Sequence, residues 1–248
     1  LKKVDEAIGD VKAVEYFVVQ SVLHLGASIQ PDGTGYILFP RNLPHHLKNF
    51  FNNQEKAHIS FESPTPQGYR YIGRNHLFVE QLCQFMLSLA FDGHPEHSRV
   101  ARVAEVQTDA VDIKTTLIMF RVRNVIKEVR SKHEVVSEEM YLWGYRGSGE
   151  NIQTILYDEA LGLIREASSL TNLTVERQKE DYRYEAARFE DLQPRFMELA
   201  TQRAESLVEA HGRFKQLVGG RRYEKATPVL PPDIMGVYIL IPKPKLSI

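Results

Sequence analysis

Leu230-Pro-Pro-Asp-Ile-Met-Gly-Val-Tyr-Ile-Leu-Ile-Pro242 is a continuous apolar run with prolines at both ends and none inside. Proline has no N–H to give to a ladder, so a hydrogen-bonded strand tolerates it only at its ends or edges. Apolar residues on both alternating faces suit a strand covered on both sides. The run follows a long charged helical arm, about Leu173 to Val218, so it is expected to bring the chain back from that arm into a sheet. Residues 1–150 then read as an α+β core, 151–228 as a helical arm and 229–248 as a returning strand. That makes one domain with an excursion rather than a body with a detachable tail.

The sheet that receives this strand is legible in the middle of the chain. From Thr116 to Glu128, Ile118, Phe120, Val122 and Ile126 alternate with Met119, Arg121, Arg123 and Lys127, the period of a half-buried strand. Val135 to Tyr145 supplies a second long strand after the polar turn Ser131-Lys132-His133. Two such runs predict a twisted antiparallel pair packed on helices. The fold class is therefore α+β: a mainly antiparallel central sheet, packed helices and a long protruding helical arm.

Earlier segments alternate between helix and short strands. Val4, Ala7, Ile8, Val11, Val14, Tyr16, Val18, Val22 and Leu25 form a mostly helical stripe, and Gly26 is placed to stop it. Ala27–Gln30 and Tyr36–Phe39 flank the turn Pro31-Asp-Gly-Thr-Gly35 as a hairpin. Pro44 opens a short helix, Ala57–Phe61 and Tyr69–Ile72 read as strands, and Asn75 is placed to cap a helix through Leu89. Cys83 sits among Leu82, Phe85 and Met86 and is expected to be buried. Leu156–Ala167 reads as a further helix. Within the arm, Pro194 either kinks one long helix or opens a second, and the weak apolar stripe before it favours a pair.

Composition narrows the function classes. With 43% hydrophobic and 25% charged residues the chain is an ordinary folded protein. The balance of 31 basic against 32 acidic residues makes any nucleic-acid contact a matter of a local patch. A single cysteine allows no internal disulfide and fits a reducing, cytoplasmic setting. No apolar run approaches the ~20 residues of a membrane span. The start, Leu1-Lys2-Lys3-Val4, lacks Met and reads as a chain cut near or within a helix.

No catalytic constellation emerges. Gly147-Ser-Gly-Glu-Asn151 lacks the Gly-Lys-Ser/Thr ending of a phosphate loop. Asp92-Gly-His94-Pro-Glu-His97 could offer two imidazoles to a metal, but a third ligand is missing and an exposed loop is the simpler reading. Two basic clusters remain. Arg121, Arg123 and Lys127 project from one strand face, with Arg130, Lys132 and His133 beyond, at the short spacing that phosphate contacts need. Glu134, Glu138 and Glu139 on the return strand are the competing partners for those charges. The second cluster is Arg203, His211, Arg213, Lys215, Arg221, Arg222 and Lys225, at the end of the arm, diluted by Glu205, Glu209 and Glu224.

Gln202-Arg-Ala-Glu-Ser-Leu-Val-Glu-Ala-His-Gly-Arg-Phe214 and the closing strand Leu230–Pro242 resemble the extreme C-terminal region of bacterial Snf-type helicase-like ATPases. These are the RapA/HepA-related proteins, including those associated with phage-defence islands. Glu15–Val18, Asn75–Val79, Thr108–Val111 and Thr115–Arg123 are similar to that family too, in the same order. The resemblance implies a non-catalytic accessory module placed after two motor lobes that bind ATP, magnesium and duplex DNA. Its expected work is to bind DNA or to dock on its own motor domains, with no cofactor of its own. The alternative is a protein–protein interaction module that uses the helical arm.

Overall fold

Helix α1 (Val11–His24) stops as its sequence dictates, with Gly26 at φ +77°, a left-handed conformation that costs glycine little. It opens the computed structural model, which describes residues 11–52, 54–92, 100–128, 134–147, 151–169, 173–218 and 223–244. Strands β1 (Ser28–Asp32) and β2 (Gly35–Phe39) pair antiparallel around the expected turn. Gly35 is required there, because a Cβ would lie 2.4 Å from the Ile59 carbonyl oxygen and 2.8 Å from the Tyr69 ring. Helix α2 (His45–Lys48) continues as a 3-10 turn to Phe51. Strands β3 (Ala57–Ser60) and β4 (Arg70–Tyr71) complete a sheet of order β1-β2-β3-β4.

Helix α3 (Leu77–Phe91) is capped by His76, whose ring accepts a hydrogen bond from the Phe78 amide, rather than by the neighbouring Asn75. Val18 and Val22 of α1, Phe78 and Leu82 of α3, and Leu38 and Ile59 of the sheet form the first core. Cys83 does not join it: it lies on the exposed side of α3. Four residues on from Val79, it borders the buried stripe of Phe78, Val79 and Leu82 without entering it.

The second sheet begins with β5 (Val103–Thr108), followed by β6 (Thr115–Glu128) and β7 (Glu134–Arg146). β6 and β7 pair antiparallel from Thr115↔Arg146 to Lys127↔Glu134 without a register shift. Strand β8 (Gln153–Ile155) and helix α4 (Tyr157–Glu166) lead to helix α5 (Val175–Val218), a single 44-residue element with Pro194 inside it. At ~1.5 Å per residue this arm is about 65 Å long. The expected helical pair is therefore one helix. Leu192 and Phe196, on either side of Pro194, pack into the same core, which holds the axis through the proline. The chain returns as β9 (Tyr223–Pro228) and β10 (Asp233–Pro242).

The sheet order is β5-β10-β6-β7-β8, with β9 also paired to β6. β10 lies parallel to β5 and antiparallel to β6, so the proline-fenced run is an interior strand. The fold is thus α+β, mainly antiparallel, with a long helical arm. Contacts divide the chain at 101/102, inside the 1–150 stretch that the sequence treats as one core. The strands after that point take their partners from the C-terminal β9 and β10 rather than from β1–β4. β9 itself is a difference from the sequence reading, which counted residues up to 228 as helical arm.

Side-chain alternation on β6 decides which face holds α5. Ile118, Phe120 and Val122 face Leu192, Phe196, Leu199 and Ala200 of the arm, with Trp143 and Tyr145 from β7. Phe120 and Trp143 meet the Phe196 ring at 4.9 and 5.8 Å between centroids. On the opposite face Leu117, Leu142 and Leu240 pack on Ala160 of α4. Phe196→Ala should destabilise the sheet and arm by about 3–5 kcal/mol, whereas exposed Met197→Ala should cost under about 0.5. Urea titration followed by the fluorescence of Trp143, the chain's single tryptophan, checks both; equal midpoints for the two variants would refute this packing.

Candidate functional site

The alternation that places Phe120 under the arm places Arg121 and Arg123 on the other face of β6. There they meet Asp233, which the β10 register sets directly opposite Arg121. Arg121 Nη2 lies 3.0 Å and Arg123 Nε 3.2 Å from Asp233 Oδ2. The acids of β7 do not take these charges, although Glu138 is the register partner of Arg123. Lys127 lies on the same face, further along β6 and exposed.

Arg203 of the second cluster does not join that surface. It sits on the arm side, where its Nε donates to Glu139 Oε2 at 3.1 Å, its Nη2 donates to Oε1, and its guanidinium stacks 4.7 Å over Tyr141. A paired, stacked guanidinium of this kind fixes the arm to β7. His211 lies two turns on and half-buried. Arg213 and Lys215 belong to the last turns of α5, with their side chains outside the described residues. Arg221 and Arg222 lie wholly outside them, as do His94, His97, Arg130, Lys132 and His133. Arg203 thus stands on the opposite face of the sheet from Arg121 and Arg123, whereas the ladder sets Lys225 of β9 opposite Lys127, with the first cluster. Glu139 neutralises Arg203, and Arg121 and Arg123 share the single carboxylate of Asp233.

A different charged group, invisible in the sequence, lies under the first half of the arm. Lys114 Nζ donates to Asp181 Oδ1 at 2.6 Å and sits 2.9 Å from Glu185 Oε1. Arg177 reaches Asp181 from the preceding turn at 2.7 Å. The Tyr145 hydroxyl donates to Glu185, and Arg188 covers the Tyr145 ring at 4.7 Å. Asp181 and Glu185 are both buried. They are spaced i, i+4 on one face of α5, a spacing that a sequence reader takes for an ordinary solvated pair. Lys114 stands a residue before β6, where no period marks it.

Glu105 of β5 completes the group. Its two carboxyl oxygens are buried without a donor, so an ionised carboxylate would stand unsolvated beside Asp181. Burial, and next the Asp181 carboxyl, push its pKa up to about 7. Burial works against Asp181 as well, but Lys114 holds that carboxyl below its usual range. Below about pH 7 the pair therefore holds one proton, on Glu105, and one charge, on Asp181. Burial, then the Glu185 carboxylate, push the Tyr145 hydroxyl strongly upward.

The arrangement is chemically a structural ion network. It couples β5, the start of β6 and the arm. Among the described residues, no three His, Cys, Asp or Glu side chains are grouped to hold a metal. Among the same residues, no helix is long and apolar enough to cross a membrane.

These features define an α+β protein whose second half is a mainly antiparallel sheet spanned by one long helix and locked to it by buried ion pairs. The chain belongs to the family described as Domain of unknown function (DUF8741), whose model matches residues 90–246. That segment contains the whole of the β5–β10 sheet and the arm. No curated protein matches the chain.

Glu105 gives this network a defined pH signature. Its folded pKa, about 7, lies above the ordinary 4.5. Its stabilising contribution is therefore fully present below about pH 4.5 and is lost as the pH rises through about 7. Asp181 has the opposite sign, but its window lies below pH 3.8. Glu105→Gln should match the parent at pH 5 and exceed it at pH 8 by about 1–2 kcal/mol, discounted for partial exposure. Urea midpoints at the two pH values check this; a gap that does not widen from pH 5 to pH 8 refutes a protonated Glu105.

Proposed function

We propose that this chain is a non-catalytic accessory module of a Snf-type DNA helicase or translocase, and that it docks on its motor rather than grips DNA. The parentage is supported by the ordered resemblance of Glu15–Val18, Asn75–Val79, Thr115–Arg123, Gln202–Phe214 and Leu230–Pro242. The observation that carries the docking role is that Arg203 is held by Glu139 and that Arg121 and Arg123 share Asp233. A guanidinium held by a carboxylate has less net charge and fewer free donors to offer a phosphate. Beside Arg121 the same sheet face exposes Met119 and Met140, and further along it Val136. Apolar side chains beside partly compensated charges suit a protein surface better than a polyanion. ATP and magnesium belong, in this reading, to the motor lobes.

A DNA-gripping role is the second reading, favoured by the position of Arg213 and Lys215 in the last turns of α5. The two are separated by DNA-stimulated ATPase of the protein that carries this chain and by duplex binding across a salt series. Met140→Asp should lower DNA-stimulated ATPase several-fold with duplex affinity unchanged. Arg213→Glu with Lys215→Glu should leave both within about twofold. Loss of duplex affinity in the arginine–lysine variant, with a shallower salt slope, would hand the role to DNA. Unchanged ATPase in Met140→Asp would sink docking.

A further inference from the structure

The open side of β7, like that of six-residue β5, has no proline or lysine, and it is the longer of the two. Of its 13 residues, β8 pairs only with Gly144–Arg146, so among the described residues Glu134–Trp143 has a partner on the β6 side alone. Leu156 and Tyr157 at the start of α4 lie beside Tyr141, so at roughly 3.3 Å per residue Glu134–Met140 leaves about 20 Å of backbone with one row of amides and carbonyls unladdered and uncovered. Natural sheets blunt such edges with proline, bulges, lysine or shortness. β1 carries Pro31, β4 has two residues, β8 has three, and β9 is broken by a register shift and ends at Pro228. β7 has no proline or lysine between Glu134 and Trp143, and its register with β6 runs unshifted.

The side chains along the edge specify what can add to it. Val136 is 61% and Met140 47% exposed, on the face away from the arm. Exposed Glu138 stands between them, and no cation of the described residues pairs with it. Glu134 is exposed on the same face, while Glu139 is spent on Arg203. Acids alone line this edge, with no Lys, Arg or His from Glu134 to Trp143. A second copy laid antiparallel on it would bring glutamates against glutamates, which opposes self-pairing. The complement is an extended strand with a basic residue opposite Glu138 and apolar side chains against Val136 and Met140.

From this we infer that the β7 edge is a strand-addition site for an extended, basic segment of a partner protein. The inference rests on the docking role proposed above for the direction of its biology, but its geometry stands without the helicase parentage. Main-chain hydrogen bonds would supply affinity, and the alternate side chains beside Val136, Glu138 and Met140 would supply selectivity.

The test is hydrogen exchange of the whole chain with a soluble peptide of about ten residues that alternates lysine with valine and threonine. Amides of Glu134–Met140 should slow by about tenfold or more, while those of β5 and α3 stay unchanged. The same peptide with a central proline, or with alternate backbone N-methylation, should give no slowing. Glu138→Lys, an exposed change that leaves the fold intact, should shift preference from the lysine peptide to one that carries glutamate in its place. Three results would overturn the inference: protection elsewhere only, equal protection by the proline peptide, or slow exchange without peptide together with a dimer in sedimentation. Motor docking is read separately, by the ATPase of Met140→Asp. A peptide-protected edge with unchanged ATPase keeps the site and removes the docking role.

Discussion

β6 is laddered on both sides along nearly all of its length, and the rest of the second sheet depends on that. On one side it meets β7 from Thr115 to Lys127. On the other it meets β10 over Thr115–Arg121 and β9 over Asn124–Glu128. Sequence order then imposes a crossing. The chain leaves the sheet at β8, beyond β7, and has to re-enter on the far side of β6. α5 makes that crossing over one face, which is why its buried side is the Leu192–Phe196–Ala200 stripe set against Phe120 and Trp143. The arm is therefore a covering layer of the sheet, and removing it would expose the apolar side of β6.

Much of this was legible because two physical signals are strong. The period-2 alternation of Ile118, Phe120 and Val122 with Met119, Arg121 and Arg123 assigned β6 and its faces, and the prolines around Leu230–Pro242 placed β10 inside the sheet. β5 and β9 were not legible. Val103-Ala-Glu-Val-Gln-Thr108 has a buried-strand pattern interrupted by Glu105, and Tyr223–Pro228 contains Glu224 and Lys225. Both earn their place through partners far away in sequence, and no local propensity reports that. Pro194 misled for a related reason: its backbone cost is local, whereas the core contacts of Leu192 and Phe196 that outweigh it are tertiary.

The site was legible in composition and not in pairing. Charge spacing identified Arg121, Arg123 and Arg203 as a cationic resource, and the structure gives each an acid from another element: Asp233 of β10 or Glu139 of β7. A sequence shows which charges a chain holds and never which of them it has already used. The Lys114–Asp181–Glu185–Glu105 group shows the same limit from the other direction. Its members are spread from β5 to the arm, and only folding brings them together. Buried ionic groups of this type seldom add net stability over apolar residues, but misalignment leaves a charge unpaired. Their consequence here is register: α5 has one position along the sheet at which Asp181 meets Lys114 while Glu185 meets Tyr145.

Register is also what joins the closed face of the sheet to its open edge. Successive residues of β7 point to opposite faces, so Glu139 reaches Arg203 under the arm while Glu138, its neighbour, faces solvent. A slip of one residue would exchange them, stranding Arg203 against an apolar or wrong-facing side chain and turning Tyr141 and Trp143 outward. The arm's ion pair and the aromatic packing of Phe196 thus select the single register in which Val136, Glu138 and Met140 line the outer edge. The surface available to a partner strand is, on this argument, set from the other side of the sheet, by the helix that covers it.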